Sequence, residues 1–336
     1  MTGRATVYDV ARVAGVSIKT VSRVVNGSEQ VSESTRQRVL TAVAELAYVR
    51  NSIAHSLRTG SGDTIGVVID SIADSFFATL VSVVEERMLA EGIGVLIAST
   101  GRSASRERGQ VARLAGQNVR ALLIAPIGDD HGYFTDITAG LPVVLVDRGW
   151  EIPGYDTVVV HDRLGAQNAT AHLIAGGHRR IAFLGDDGDL PTIAQRRLGY
   201  LDALAEAGLP IDDALLRTGC GEPEPAAIAT AALLALDDAP TAVFSSNPRA
   251  SLGVVRALHQ GGRTDIALIS FGDFALADSL EPAVTIVDQD PTLIAEAAVD
   301  LLLARMRGER SEANNIVLPV NVVPRGSGEL VPCNRS

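Results

Sequence analysis

Two cationic side chains near the start of the chain, Lys19 and Arg23, stand four residues apart with Ile18 and Ser22 beside them in the same spacing. Residues four apart share a helix face, and a lysine or arginine aimed into a major groove donates to the N7 and O6 acceptors of guanine. The elements that would aim them can be read nearby. Thr6 can cap a first helix whose Val7, Val10, Ala11 and Ala14 recur every three or four residues. Gly15, just past that stripe, suits the left-handed turn that ends a helix, and Ser17 stands where a second helix needs an N-cap oxygen. A second helix from Ile18 to about Val25 then packs Val21, Val24 and Val25 on the first and turns Ile18, Lys19, Ser22 and Arg23 outward. That arrangement is a helix-turn-helix, in which the start of the second helix meets base edges. Spacing alone equally accommodates an ordinary helical hairpin whose Lys19 and Arg23 are merely solvated.

The stretch VSESTRQRVLTAVAELAYV predicts a third helix capped by Ser32, with Val39, Leu40, Val43, Leu46 and Ala47 on one face, so that three helices close a small core. Residues 1–60 carry eight Lys and Arg against four Asp and Glu, a balance of +4, whereas the whole chain is at −11 and the remaining 276 residues therefore at −15. Such polarity assigns anionic partners to the N-terminal end alone.

The run DVARVAGVSIKTVSRVVN resembles the signature of the LacI/GalR family of bacterial transcription regulators, and AYVRNSIAHSLRTG is similar to that family's hinge segment. The resemblance implies that Ile18, Lys19 and Arg23 are the principal base readers, with Thr6, Ser17, Thr20, Ser22 and Asn26 completing the DNA-contacting set. It makes Leu57 the leucine that wedges into the minor groove at the centre of a palindromic operator, with Asn51, Ala54, His55 and Arg58 on the same short hinge helix. Paired apolar wedges unstack one base step at a cost of roughly a few kcal/mol and gain contacts along the bent duplex. A linker leucine docked on its own core is the other reading of Leu57. Arg50 departs from the family pattern, which often has proline there.

Beyond about Ser61, β-rich runs alternate with longer amphipathic stretches: Ile65 to Ile69, Val95 to Ala98, Ala121 to Ile124, Val143 to Val146, Ile181 to Leu184, Ala242 to Phe244 and Ile266 to Ser270. This is the pattern of βαβ units in two successive α/β halves with parallel sheets. The expected fold is therefore an all-α helix-turn-helix domain followed by an α/β, two-lobed, periplasmic-binding-protein-like (type I) domain. Expected boundaries are residues 1–49 for DNA binding, 50–60 for the hinge, 61–331 for effector binding and dimerisation, and 332–336 for a tail.

Ligands of such folds collect at the carboxyl ends of strands and between domains. That rule draws attention to Asp70 to Phe77 after the first strand, Pro126 after the third, Asp147 with Arg148 after VVLV, Gly185 to Arg196, Ser245 to Asn247, and Gly272 with Asp273. By the resemblance, Asp147, Arg196 in the Arg-x-x-Gly-aromatic motif QRRLGY, and Asn247 match effector-contacting positions, while Phe76 and Phe77 match the aromatic wall of the first lobe. Such a set suits a polyol, whose vicinal hydroxyls meet a carboxylate, an amide and a forked guanidinium. Two departures qualify the effector: Asn247-Pro248 stands where relatives have Asn-Asp, and Gly272 holds a place often given to an effector-binding aspartate, for which Asp273 is the candidate substitute. A sugar or sugar acid is the expected class, with a purine or another metabolite as the alternative. Helix N-capping is the other reading of Asp147 and Asp273.

No phosphate-binding loop, nucleophile elbow or His-Glu-x-x-His is present, and the six histidines show no metal-pair spacing, so neither cofactor, metal nor enzymatic activity is expected. His178, in GGHRR, reads as a structural turn residue. Cys220 and Cys333 are too few and too far apart for a disulfide framework, and without a signal peptide or long apolar run a cytoplasmic protein with no membrane partner is expected. The C-terminal stretch from Asp300 predicts one helix, a loop, a last strand and a tail without a leucine heptad; tetrameric members of the family it resembles use such a heptad, so the resemblance implies a homodimer. The resulting expectation is a repressor whose operator affinity is set by a small molecule. An activator or a corepressor-dependent regulator differs only in the sign of coupling; a solute-binding protein or enzyme with an accessory N-terminal module is the rival from another class.

Overall fold

In the computed structural model, which describes residues 5–25, 30–48, 62–128, 130–138, 140–148, 152–186 and 190–332, the chain divides into two units at Gly62–Asp63. Helix α1 (Val7–Ala14) of the first unit opens on a capping box: the Asp9 amide donates to Thr6 Oγ1 at 3.4 Å and the Thr6 amide to Asp9 Oδ2 at 3.0 Å. Gly15 ends it in the left-handed region at φ 63°. Ser17 Oγ then accepts the Thr20 amide at 3.1 Å and starts α2 (Ile18–Val25). Val10 and Val21 meet Val39 and Ala42 of α3 (Glu33–Glu45) in a closed apolar cluster.

The third helix departs from its expected face. Leu40 and Ala47 are exposed, and Ala42 takes the inward position. Leu40 follows Val39 by a single residue and so lies about 100° round the helix, and Ala47 sits past the helix end at φ 44°. Ser32 precedes the helix, but its hydroxyl donates to Thr35 Oγ1 at 2.9 Å and caps no backbone amide.

The larger unit contains two six-stranded sheets. The first takes β1 (Thr64–Ile69), β2 (Gly94–Ser99), β3 (Leu122–Ile124), β4 (Val143–Val146) and β5 (Asp156–Val160), with α4 (Ser75–Ala90), α5 (Ala104–Gly116) and the short α6 (Tyr133–Ile137) between them. The chain then enters α7 (Asp162–Ala175) and builds the second sheet from β6 (Ile181–Leu184), β7 (Leu216–Arg217), β8 (Ala242–Ser245), β9 (Ala267–Phe271) and β10 (Thr285–Asp288), with α8 (Pro191–Glu206), α9 (Pro223–Leu234) and α10 (Pro248–Gln260). Fully buried strands such as VVLV and IAFL read as continuous apolar runs because helices cover both faces of a parallel sheet.

The expectation of two successive halves is corrected here. After β10 the chain returns: α11 (Pro291–Met306) packs on α4, β4 and β5 of the first lobe, and β11 (Asn315–Leu318) pairs with β5 in parallel. It then crosses once more, and β12 (Asn321–Val323) closes the second sheet antiparallel to β10. Polar contacts fix the return. Thr157 Oγ1 donates to Asn315 Oδ1 at 2.7 Å, and Arg305 holds Asp156 through two hydrogen bonds of 2.7 and 2.8 Å. The lobes are thus joined by three crossovers, and residues at those crossovers are shared by both lobes.

Candidate nucleic-acid interface and effector cleft

On α2 the outward face is as the spacing requires: Ile18, Lys19 and Arg23 are exposed, while Ser22 is half-buried. Among the described residues neither Lys19 nor Arg23 has a hydrogen bond or ion pair, so both are free to meet an acceptor. Thr20 turns its hydroxyl to Ser17 Oγ at 2.9 Å, and the Thr6 hydroxyl donates to Asp9 Oδ2 at 2.7 Å. The Thr6 hydrogen bonds hold the Asp9 carboxyl below its usual pKa. Beside α2 a concavity of about 360 Å³ is lined by Ser17, Thr20, Arg23, Ser32, Thr35 and Arg38. Two guanidinium groups and four hydroxyls around one hollow fit a phosphate oxygen, and sequence reading did not single out Arg38. Its signal was the basic pair Arg36 and Arg38 at the start of the third helix. Asn26, Arg50 and the hinge candidates Asn51, Ala54, His55, Leu57 and Arg58 lie outside the described residues.

In the larger unit, strand ends and crossovers bring charged side chains into a buried chain of contacts. Asp70 follows β1, and Asp147 with Arg148 follows β4, Asp147 at φ 64°. Arg148 forks onto Asp70 with bonds of 3.0 and 2.7 Å and lies 3.2 Å from Asp147 through Nε. Asp147 Oδ1 accepts from Gln289 Nε2 at 3.0 Å. Gln289 Oε1 accepts in turn from Arg196 Nη2 at 3.1 Å, and Arg196 reaches Asp162 Oδ1 at 2.7 Å and the Ser246 carbonyl at 2.7 Å. The Arg196 guanidinium also lies 3.7 Å from the centroid of the Phe271 ring. Asp147 and Asp162 are therefore linked across the lobes through Gln289 and Arg196, both side chains from elements next to the crossovers.

Burial sets the electrostatics of this chain. Desolvation pushes the Asp162 carboxyl up to about 6 despite Arg196 beside it. Burial opposes the charge on Arg148, yet Asp70 and Asp147 hold its pKa above the ordinary value. Two side-chain atoms at the end of β8, Ser246 Oγ and Asn247 Nδ2, are buried without a hydrogen-bond partner. An unpartnered buried polar atom costs about 1–3 kcal/mol, so such atoms mark where a ligand's polar groups are met.

The Arg-x-x-Gly-aromatic motif now has a physical reason. Arg196 points into the polar chain, and Tyr200 donates to the Ile181 carbonyl at 2.8 Å, fixing α8 on β6. Gly199 lies where α8 meets α7 so closely that a Cβ would stand 2.0 Å from the Arg163 carbonyl oxygen. That approach lets Arg196 reach Asp162, one residue before Arg163.

The remaining sequence candidates divide. Phe77 is buried in the core with its ring 6.0 Å from the Arg148 guanidinium, and Phe76 is half-buried and packs edge-on against it with centroids 5.1 Å apart. Asn247 spends its Oδ1 on the Ala250 amide at 2.8 Å, capping α10 and leaving the amide nitrogen for the cleft. Asp147 caps no helix. Asp273 joins no part of the buried chain: its half-exposed carboxylate is held by Arg325 at 3.0 and 2.7 Å and accepts the Phe274 amide at 2.8 Å. Gly272 is held at φ 87°, and a Cβ there would stand 2.8 Å from the Pro248 ring. The two departures from the family pattern are thus one: Pro248 occupies the space a side chain at 272 would need. Asp70 and Arg148 stand at strand ends that the sequence singled out for inspection, without a role assigned to them, whereas Gln289 and Arg102 were not among the candidates. Arg102 bridges the lobes, pairing with Asp186 after β6 and standing 3.5 Å from Asp70. His178 is structural as expected, buried between Thr241 Oγ1 at 2.9 Å and the Leu330 carbonyl at 2.8 Å.

Residues 6–51 match the family model described as bacterial regulatory proteins, lacI family, and residues 170–328 match a periplasmic binding protein-like domain. The chain is 30% identical over 328 residues to the HTH-type transcriptional repressor PurR of Vibrio campbellii, covering 96% of this chain and 98% of that protein. It is 34% identical over 338 residues to the HTH-type transcriptional regulator CelR of Thermobifida fusca, covering 97% and 98%. Among solved structures, the lac repressor dimer bound to operator and the anti-inducer ONPF superposes with a TM-score of 0.87 at 28% identity, covering 97% of this chain and 99% of that one. A CelR–cellobiose complex superposes at 0.72 with 32% identity, covering 96% and 100%. A helix-turn-helix joined to a two-lobed periplasmic-binding-protein-like domain defines a DNA-binding transcription regulator of bacterial type. The chain belongs to the lacI family of bacterial regulatory proteins.

Proposed function

We propose that this chain is a dimeric repressor that reads a palindromic operator through Ile18, Lys19 and Arg23 and changes its affinity when a small molecule binds between the lobes of its larger unit. The observation that carries this reading is the buried chain from Asp70 to Asp162, which crosses between the lobes and borders two unpartnered polar atoms, Ser246 Oγ and Asn247 Nδ2. A ligand that answers those atoms and competes for Asp147 or Arg196 changes contacts that span both lobes, which is the condition for biasing a two-state hinge. Asp147, Arg196 and Asn247 are the proposed ligand contacts, with Phe76 as the apolar wall and Phe77 as its support. The hinge candidates, Leu57 above all, are proposed to carry the change to DNA. One helix-turn-helix reads a half-site, so a two-fold dimer is what a palindrome requires. The lac repressor structure is of a dimer on its operator and the CelR structure is of a cellobiose complex, and both support this reading. No helix among the described residues is long and apolar enough to cross a membrane, and no cluster of three His, Cys, Asp or Glu is placed to hold a metal.

Selection of bound duplexes from a random DNA pool by the full chain tests the proposal. A palindromic consensus whose complex is weakened or strengthened by one small molecule is the expected result. Recovery of no consensus would overturn it. The direction of the ligand's effect separates an inducer from a corepressor.

A further inference from the structure

We infer that the cleft selects an uncharged, polyhydroxylated ligand and rejects the acid or phosphate of the same sugar. The inference deepens the reading of the cleft as an effector site and rests on it. Its ground is the way the cationic side chains around the cleft are already used. Arg148 is forked onto Asp70 and lies 3.2 Å from Asp147. Arg196 is spent on Asp162, the Ser246 carbonyl, Gln289 and the Phe271 face. Arg102 is held between Asp186 and Asp70, and Arg249, at the start of α10, is forked onto Glu222. Each of these arginines has a carboxylate partner within its own lobe or across the cleft.

An anionic ligand would therefore have to take a guanidinium away from a buried carboxylate. The carboxylate left behind would be a desolvated charge without a partner, which costs far more than an exposed ion pair returns. Nor does the local balance invite an anion: Asp70, Asp74, Asp147, Asp162, Asp186 and Glu222 face Arg102, Arg148, Arg196 and Arg249. A cation is favoured no better. The carboxylates of the chain are already hydrogen-bonded, and the buried atoms that lack a hydrogen-bond partner there are Ser246 Oγ, Asn247 Nδ2 and Arg148 Nε, the last on a guanidinium whose charge Asp70 and Asp147 already answer. An amide N–H requires an acceptor, which an ammonium does not supply, whereas a sugar hydroxyl accepts from Asn247 and donates to Ser246 or Asp147 in one geometry. Both atoms belong to side chains more than nine-tenths buried, Ser246 at 0% and Asn247 at 8% exposure.

Thermal unfolding of the full chain with matched probes decides the matter: cellobiose against cellobionate, glucose against glucuronate and glucose 6-phosphate, and hypoxanthine as an uncharged ring without hydroxyls. At least one neutral sugar should stabilise the chain, and its acid or phosphate should bind at least tenfold more weakly. In Asp186→Asn, which leaves Arg102 without its partner in the second lobe, the affinity ratio of acid to neutral sugar should rise severalfold. Asp186 is partly exposed, and Asp70→Asn, which removes the forked carboxylate of Arg148 and leaves it Asp147 alone, is the second variant should the first leave Arg102 on Asp70. An acid or phosphate that binds the wild-type chain as tightly as its neutral partner overturns the inference while leaving the cleft as the effector site. So does binding by hypoxanthine alone, or an unchanged ratio in both variants. Stabilisation by none of the probes counts against the inference and against the cleft reading together.

Discussion

Gly199→Ala tests whether the close contact of α7 with α8 builds the cleft. The new Cβ would stand 2.0 Å from the Arg163 carbonyl oxygen and 2.8 Å from the Gln167 amide nitrogen, and real Cβ contacts below 3.0 Å are essentially unknown. The helices must therefore part by at least about 1 Å, because a backbone carbonyl inside a helix cannot turn aside. Passed on in full, that shift stretches the 2.7 Å bond between Arg196 and Asp162 beyond hydrogen-bond range. Overpacking costs about 1–3 kcal/mol. Losing a buried charge-assisted hydrogen bond adds roughly 1.5–3 kcal/mol, which brings the expected loss to about 2.5–6 kcal/mol. Urea unfolding followed by far-ultraviolet circular dichroism reads this directly. Gly109→Ala, in the middle of α5 with nothing within 4 Å of its Cβ, is the control and should gain up to about 1 kcal/mol. A loss below about 1 kcal/mol in Gly199→Ala, with the ligand response intact, would refute the reasoning.

Arg23→Ala should weaken operator binding by about 1–3 kcal/mol and relax base preference at one position of each half-site, measured by competition among single-base operator variants; unchanged preference would remove Arg23 from the readers. Gly272→Asp alone should unfold at markedly lower urea, because its Cβ meets Pro248 and its backbone is left-handed, and adding Pro248→Ala should recover part of the loss by relieving the 2.8 Å contact. No recovery in the double variant would uncouple the two positions. Glu107, buried on α5 and bonded by Tyr133 and the Ile127 amide, is pushed up from 4.5 to about 7 by desolvation. Its folded pKa exceeds the unfolded one, so its contribution is fully present below about pH 4.5 and is lost as pH rises through 7, by about 3 kcal/mol in all. The stability difference between wild type and Glu107→Gln should therefore shift steadily between pH 4.5 and 7 in favour of the variant, and a flat difference would contradict the assignment.

Punctuation made the N-terminal unit readable: Gly15 and Ser17 bracket the turn, and α2 runs from Ile18 to Val25 as the spacing of its valines requires. Strands such as Val143–Val146 and Ile181–Leu184 were equally plain, being uninterrupted apolar runs between polar turns. The return of the chain to its first lobe was not. Thr157 pairs with Asn315 across 158 residues, and nothing local distinguishes that edge strand from a terminal one. For the same reason the cleft was only half visible. Asp147, Arg196 and Asn247 could be found because each follows a strand or sits in a recognisable motif. Gln289 and Arg102 carry no such mark, and their roles arise only when the crossovers bring Asp147 and Asp70 to them. Asp273 shows the converse, a carboxylate at a promising position that Arg325 from the C-terminal segment claims.

Reciprocal titration tests the central claim most directly. Affinity of the full chain for its selected operator is measured with and without the stabilising sugar, and affinity for the sugar with and without operator. Linkage requires the two ratios to be equal, and a coupling of the usual size makes them about 5- to 150-fold. Asn247→Ala should weaken sugar binding and so raise the sugar concentration needed for the change, while leaving operator affinity in its absence unaltered. Operator affinity that stays the same at saturating sugar would contradict the account.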